Sequence, residues 1–153
     1  KSGIIVKGIH DLAVRFSKCC SPVPGDEIVG FVTRGRGITI HRTDCINVLN
    51  LPEIERSRLI DAEWQGIEED NSAATYSTEI SIFANNRIGM FVDISKIFTE
   101  REIDIKTMNS RVNKQGKATI TMSFDIHGIE ELNNLMAKLR QIDGVLDIER
   151  TTG

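Results

Sequence analysis

Ala118, Ile120, Met122, Phe124 and Ile126 alternate without a break with Thr119, Thr121, Ser123 and Asp125. Successive side chains of a strand point to opposite faces, so this run fits a strand buried on one side and little else. Earlier, Ile80, Ile82 and Ala84 alternate in another strand, and Asn85 to Gly89 is a turn. Phe91, Ile94 and Phe98, with Met90 and Ile97, then mark a helical face. Ile103 and Ile105 begin a strand that turns at Asn113-Lys114-Gln115-Gly116 into the long alternating run. Leu132, Leu135, Met136 and Leu139 give a second amphipathic helix, and Asp143-Gly144 turns into a last strand through Leu146 and Ile148. The order βαββαβ predicts the split-βαβ, ferredoxin-like arrangement, an antiparallel sheet with both helices on one face. A sheet face left uncovered by helices commonly pairs with a partner, so oligomerisation, as a homodimer, is expected here.

The first half reads as a smaller unit of another kind. Leu12 to Phe16 alternates weakly, as a short strand does. Pro24-Gly25 suits a type II turn, because proline pre-sets φ and glycine accepts a positive φ. Glu27 to Val32 follows as a strand, Thr33-Arg34-Gly35-Arg36-Gly37 as a hairpin loop, and Ile38-Thr39-Ile40-His41 as the returning arm. Alternation puts Ile38 and Ile40 on one face, Thr39 and His41 on the other. Thr43 or Asp44 is placed to cap a short helix through about Asn50, stopped before Pro52. Leu59 to Trp64 closes the unit as a strand. A β-rich unit of about 65 residues is marginal without a staple, which directs attention to a metal. The fold class predicted is α+β: a β-rich module over 1–66, an acidic linker over 67–75 and the ferredoxin-like domain over 76–153.

Charge follows the same division. Residues 1–50 carry seven Lys/Arg against four Asp/Glu, residues 51–74 two against seven, and residues 75–153 ten against eleven. A basic head and a balanced tail thus flank an acidic joint. No apolar run approaches the roughly 20 residues a membrane helix needs, so no membrane partner is expected. No signal pattern opens the chain, and three cysteines make a poor disulfide framework. A reducing compartment, the cytoplasm, is therefore expected. The first residue is Lys1 rather than Met, and the chain is expected to be a piece of a longer protein.

All three cysteines, Cys19, Cys20 and Cys45, fall within 27 residues, with His41 close by in sequence. Three thiols and an imidazole meeting at one point would hold Zn²⁺ in a closed tetrahedral site. A thiol at a helix start, as predicted for Cys45, has its thiolate stabilised. Against this, Cys19 and Cys20 are neighbours, and in extended chain they point apart unless the loop kinks. The other reading makes the cysteines small core residues and His41 a surface strand residue. Both stay open on spacing alone. Asp44 is a substitute ligand in principle, though capping suits it better; His10 and His127 read as solvated or turn histidines. Lys18, Arg34, Arg36 and Arg42 surround the locus and could meet phosphates. In the second half, Asn86, Arg87, Ile88 and Gly89 form a loop at a helix start that could hold a carboxylate, or serve only as a turn. No catalytic set appears, so no enzymatic activity is expected of these residues.

Three stretches carry a resemblance: Lys18-Cys19-Cys20-Ser21-Pro22-Val23-Pro24-Gly25-Asp26, the run Gly30 to Gly37, and His41-Arg42-Thr43-Asp44-Cys45. They resemble the C-terminal regulatory region of the long RelA/SpoT-type (p)ppGpp synthetases/hydrolases, and the second half looks like the ACT domain that follows in that family. The resemblance implies a zinc-finger-like (RIS) module with Cys19, Cys20, His41 and Cys45 as ligands. It implies docking on stalled ribosomes, with Lys18, Arg34, Arg36 and Arg42 near ribosomal or transfer RNA, and control of the parent's own catalytic domains. The parent would be a GTP pyrophosphokinase that transfers pyrophosphate from ATP to GTP or GDP, and the family also includes (p)ppGpp hydrolases. ACT domains elsewhere bind amino acids near the loop matching Asn86 to Gly89, often Asp-Arg-Pro-Gly. Asn86 and Ile88 depart from that pattern. Two other functions also fit these features: an amino-acid sensor and a dimerisation module without ribosome contact.

Overall fold

The computed structural model describes residues 4–6, 13–35, 37–64 and 74–151. The chain divides into two compact units, the second beginning at Thr75 and running to Thr151. His10, Leu12, Arg36 and most of the predicted linker over 67–75 lie outside the described residues.

The first unit is a five-stranded sheet. Its strands are β1 (Ile4–Val6), β2 (Val14–Phe16), β3 (Ile28–Val32), β4 (Ile38–Arg42) and β5 (Leu59–Trp64), in the order β1-β5-β3-β4-β2. All neighbours are antiparallel except β2, which runs parallel to β4. The predicted hairpin is present: Thr33 donates from both its backbone N–H and its Oγ1 to the Gly37 carbonyl, at 2.9 and 2.8 Å. Gly37 has φ +87°, and a Cβ there would collide with the Ala13 carbonyl, so only glycine closes this loop. The Pro24-Gly25 turn is also as predicted, with Gly25 at φ 102° and the Asp26 N–H donating to the Val23 carbonyl at 3.0 Å. Ile28, Ile38 and Ile40 form the small core, packed against Ile4, Val14, Phe16, Val32, Ile60, Ala62 and Trp64. Phe16 stacks on Trp64 with ring centroids 5.6 Å apart.

Three features of this unit differ from the sequence expectation. The short helix α1 (Ile46–Leu49) has Cys45 as its N-cap and no side-chain cap, so neither Thr43 nor Asp44 caps it. Asp44 instead turns its carboxylate to Arg42, a charged partner with two parallel donors, which a lone backbone N–H cannot match. A 3-10 helix over Glu53–Arg58 precedes β5 unannounced, because its one large apolar residue, Ile54, is exposed and leaves no period to read. β1 is a further addition, paired antiparallel with β5.

The second unit is the predicted βαββαβ. It comprises β6 (Tyr76–Asn85), α2 (Met90–Glu100), β7 (Ile105–Val112), β8 (Lys117–Ile126), α3 (Ile129–Arg140) and β9 (Val145–Arg150), with the antiparallel sheet order β7-β8-β6-β9. The long alternation is fully realised: Ala118, Ile120, Met122, Phe124 and Ile126 are all buried while Thr119, Thr121, Ser123 and Asp125 are not. Phe98 of α2 meets Phe124 of β8 edge to face at 5.0 Å. The buried stripe of α2 is Met90, Ile94 and Phe98. Phe91, expected in that stripe, is 41% exposed, because it sits about 100° around the helix from Met90. Leu146 is likewise exposed on β9, and Ile148 alone of the expected pair is buried.

Candidate metal centre

Cys19, Cys20, His41 and Cys45 converge, although they come from a loop, a strand and a helix start. Their ligating atoms all lie within 4.8 Å of one another. Cys19 Sγ is 3.4 Å from Cys45 Sγ and 3.5 Å from His41 Nδ1, which is itself 3.8 Å from Cys20 Sγ. With Zn–S bonds of about 2.3 Å, the edges of a tetrahedral site are about 3.5–3.8 Å. The donor set and its spacing therefore fit Zn²⁺, with Nδ1 as the imidazole ligand.

The objection raised by adjacent cysteines is answered by the backbone. Lys18 to Cys20 form a turn closed by the Ser21 N–H donating to the Ser17 carbonyl at 3.0 Å, and Ser21 adopts φ 49°. In such a tight turn successive side chains diverge by about 100° rather than 180°, so both sulfurs reach the same locus. Around them lies a second small cluster in which Cys20, Cys45 and Val48 are buried against Cys19, Val29 and Leu59. The thiols are thus core residues and metal-competent at once.

Burial raises the Cys20 thiol to about 12, aided by the neighbouring Cys45 and Cys19 sulfurs and opposed by the hydrogen bond from the Arg42 backbone. Cys45 is also raised, chiefly by burial. The expectation that a helix start would stabilise the Cys45 thiolate therefore fails: the helix is one turn long and desolvation outweighs the Asn47 backbone hydrogen bond. Cys19 goes the other way. Burial pushes it up, but hydrogen bonds from Ser17, Asn47, Cys45 and Cys20 together pull it lower. Ser17 Oγ lies 2.8 Å from its sulfur. Burial lowers His41, favouring the neutral ring that a metal needs.

The four cations expected near RNA separate. Lys18 and Arg34 are exposed, and Arg36 lies outside the described residues. Arg42 is 5% exposed and its guanidinium turns inward, donating to Asp44 and to the Cys20 carbonyl, so it has no face for a phosphate. The alternation that buries Ile38 and Ile40 carries on to Arg42, a signal the basic motif obscured. Ser17 and Asn47 were not singled out in the sequence, since only their geometry links them to Cys19.

In the second unit, Arg87 braces its own loop. Its Nε donates to the Asp143 carbonyl at 2.8 Å, Nη1 to the Ile88 carbonyl at 3.1 Å and Nη2 to Asp93 at 2.7 Å. The Asn86 N–H is engaged by the Gly116 carbonyl, Ile88 is wholly exposed, and Gly89 at φ 88° starts α2. A groove of about 450 Å³ lies instead along α2, lined by Phe91, Val92, Ser95, Lys96 and Thr99.

A ferredoxin-like domain and a Cys3His cluster thus occur in one chain. Residues 72–150, more than half of the chain, match the family described as ACT domain, and the chain belongs to it. Residues 4–65 match the RelA/SpoT RIS domain. Curated relatives span both units: the GTP pyrophosphokinase of Escherichia coli (strain K12) is 36% identical over 151 residues, 98% of this chain and 20% of that protein. That of Haemophilus influenzae is 35% identical over 148 residues, covering 96% of this chain and 19% of its own. The chain thus spans about one fifth of the length of these relatives. Among solved structures, the ACT domain from GTP pyrophosphokinase of Chlorobium tepidum is 26% identical with a TM-score of 0.45, covering 50% of this chain and 99% of that one. No helix among the described residues is long and apolar enough to cross a membrane.

Proposed function

We propose that this chain is the regulatory region of a RelA/SpoT-type GTP pyrophosphokinase, with a zinc-stapled module that docks on the ribosome and an ACT domain that passes the signal to the catalytic domains. The observation that carries this is the likeness to GTP pyrophosphokinases across both units, from the Cys3His cluster through the ACT domain. Zinc here is structural: held by Cys19, Cys20, His41 and Cys45, it would fill every position with protein ligands and leave none for a substrate. The metal's work is to fix the loop that bears Lys18 beside the sheet that presents Arg34. Both cations are exposed, as phosphate contacts require. The rival reading, amino-acid sensing at Asn86 to Gly89, is less well supported, since Arg87 is engaged by Asp143, Ile88 and Asp93.

Co-sedimentation with 70S particles tests the reading. The zinc-loaded chain should pellet with ribosomes at low ionic strength and be released by salt. Lys18→Glu with Arg34→Glu should weaken binding at least tenfold and flatten the salt dependence by roughly one unit of slope per lost phosphate contact. A folded, zinc-loaded chain that stays in the supernatant sinks the docking function.

A further inference from the structure

Arg42 is bound to Cys20 twice. Its Nη1 donates to the Cys20 carbonyl at 3.0 Å, and its backbone N–H points at Cys20 Sγ from 3.2 Å. The rest of the guanidinium is fixed by Asp44, with Nε to Oδ1 at 2.9 Å and Nη2 to Oδ2 at 2.8 Å. The arginine side chain is 6% exposed, whereas Asp44 is 63% exposed. A buried guanidinium with a solvent-facing carboxylate on one edge and a backbone carbonyl on the other is a bracket. It ties the Cys20 turn to the end of β4, next to His41.

That turn needs fixing. Ser21 holds a left-handed backbone without being glycine, a conformation that persists only where the surroundings over-determine it. Unwinding the Lys18–Cys20 turn toward extended chain would swing Cys19 and Cys20 to opposite faces and dismantle the donor set.

We propose that Arg42 is a positioning residue of the metal centre, a clamp that holds the Cys19-Cys20 turn in its ligating shape without touching the ion. This rests on the zinc reading of the cluster. The planar fork matters as well as the charge: three N–H groups in one plane reach three acceptor atoms, two on the Asp44 carboxylate and one on the Cys20 carbonyl opposite, which an ammonium on a flexible stem cannot do. Groups that orient ligands from behind set metal affinity by about 10–100-fold.

Zinc affinity of the whole chain, measured by competition with a chromophoric chelator, tests this beside the Co²⁺–thiolate absorption. Cys45→Ser should abolish tight binding. Arg42→Gln should weaken zinc about tenfold to a hundredfold. Arg42→Lys should not restore it; full recovery with lysine would reduce the clamp to a charge effect and overturn it. Asp44→Asn alters an exposed side chain and keeps the test open should Arg42→Gln fail to fold; it should weaken zinc several-fold. Wild-type affinity in either Arg42→Gln or Asp44→Asn overturns the clamp while leaving the zinc reading intact. A wild-type chain that binds neither zinc nor Co²⁺ removes both.

Discussion

The two units solve one problem differently. The second builds a continuous apolar layer between sheet and helices, in which Ile80, Ile82, Ile94, Phe98, Ile120, Met122, Phe124, Leu132, Leu135 and Leu139 are almost wholly buried. The first has one cluster built on Ile28, Ile38 and Ile40 and another built on Cys20, Cys45 and Val48. Burial contributes about 25 cal/mol per Å² of apolar surface, so a core of this size leaves little margin over chain entropy. The smaller unit gathers three thiols and an imidazole where the larger one has side-chain packing. A metal held there would act as a cross-link in place of core volume.

The sharpest way to break this contrast is to remove the metal. Chelation, or Cys45→Ser, should unfold the first unit and leave the second standing. Structural zinc supplies about 10–16 kcal/mol of apparent binding energy in small finger peptides, more than a unit this size can lose. Amide NMR signals of β3 and β4 should collapse while those of β6 and β8 hold. A first unit that stays folded without metal would make the cysteines packing residues only. Acid should act in the same direction. Cys20 is raised to about 12 and Cys45 is raised too, so at neutral pH both carry protons that zinc must displace. Affinity therefore falls as pH falls, by at least the two protons of Cys20 and Cys45 near neutrality. His41, lowered by burial, is already neutral there and adds a further loss only in more acidic solution. A zinc affinity that stays constant across roughly pH 6 to 8, where the displaced protons should register, would contradict this protonation scheme.

The mirror experiment is Phe98→Ala. Phe98 is fully buried and edge-on to Phe124, so truncation should cost about 3–5 kcal/mol and lower the second unit's melting transition alone. Calorimetry with and without zinc separates the two transitions. If both move together, the units are energetically one, and the comparison drawn between them fails.

How much could be read in advance follows the same line. Strict periodicity in Ala118 to Ile126 leaves only one face for the core, so β8 and its partners were legible. Helix stripes were legible to within one residue: Met90, Ile94 and Phe98 recur every four positions, and Phe91 is the neighbour that the helical wheel displaces. In the first unit Cys19, Cys20, His41 and Cys45 were legible as a set of candidate ligands, but their convergence was not. It depends on the tight turn over Lys18 to Cys20, closed by the Ser21 N–H on the Ser17 carbonyl, and nothing in the composition of Cys-Cys-Ser-Pro announces that backbone. Arg42 shows the opposite failure. Its burial follows from alternation with Ile38 and Ile40, yet its basic neighbourhood suggested solvent and phosphate.

A smaller effect sharpens the comparison from the side of local structure. Glu131, in the first turn of α3, accepts a hydrogen bond from the His127 N–H at 2.8 Å and lies 2.8 Å from the His127 ring nitrogen. It returns to the backbone just ahead of the helix, as the acid of a capping box does, and its charge sits at the favourable end of the helix dipole. Glu131→Ala should therefore cost about 0.5–2 kcal/mol, shifting the second unit's transition by a few degrees. Glu131→Gln should keep most of that, because the amide oxygen still accepts the N–H. Zinc removal should leave the shift unchanged, since the cap belongs to a unit that carries its stability in its own core and helix ends. A Glu131→Ala effect that grows on chelation would mean the two units share a cooperative transition.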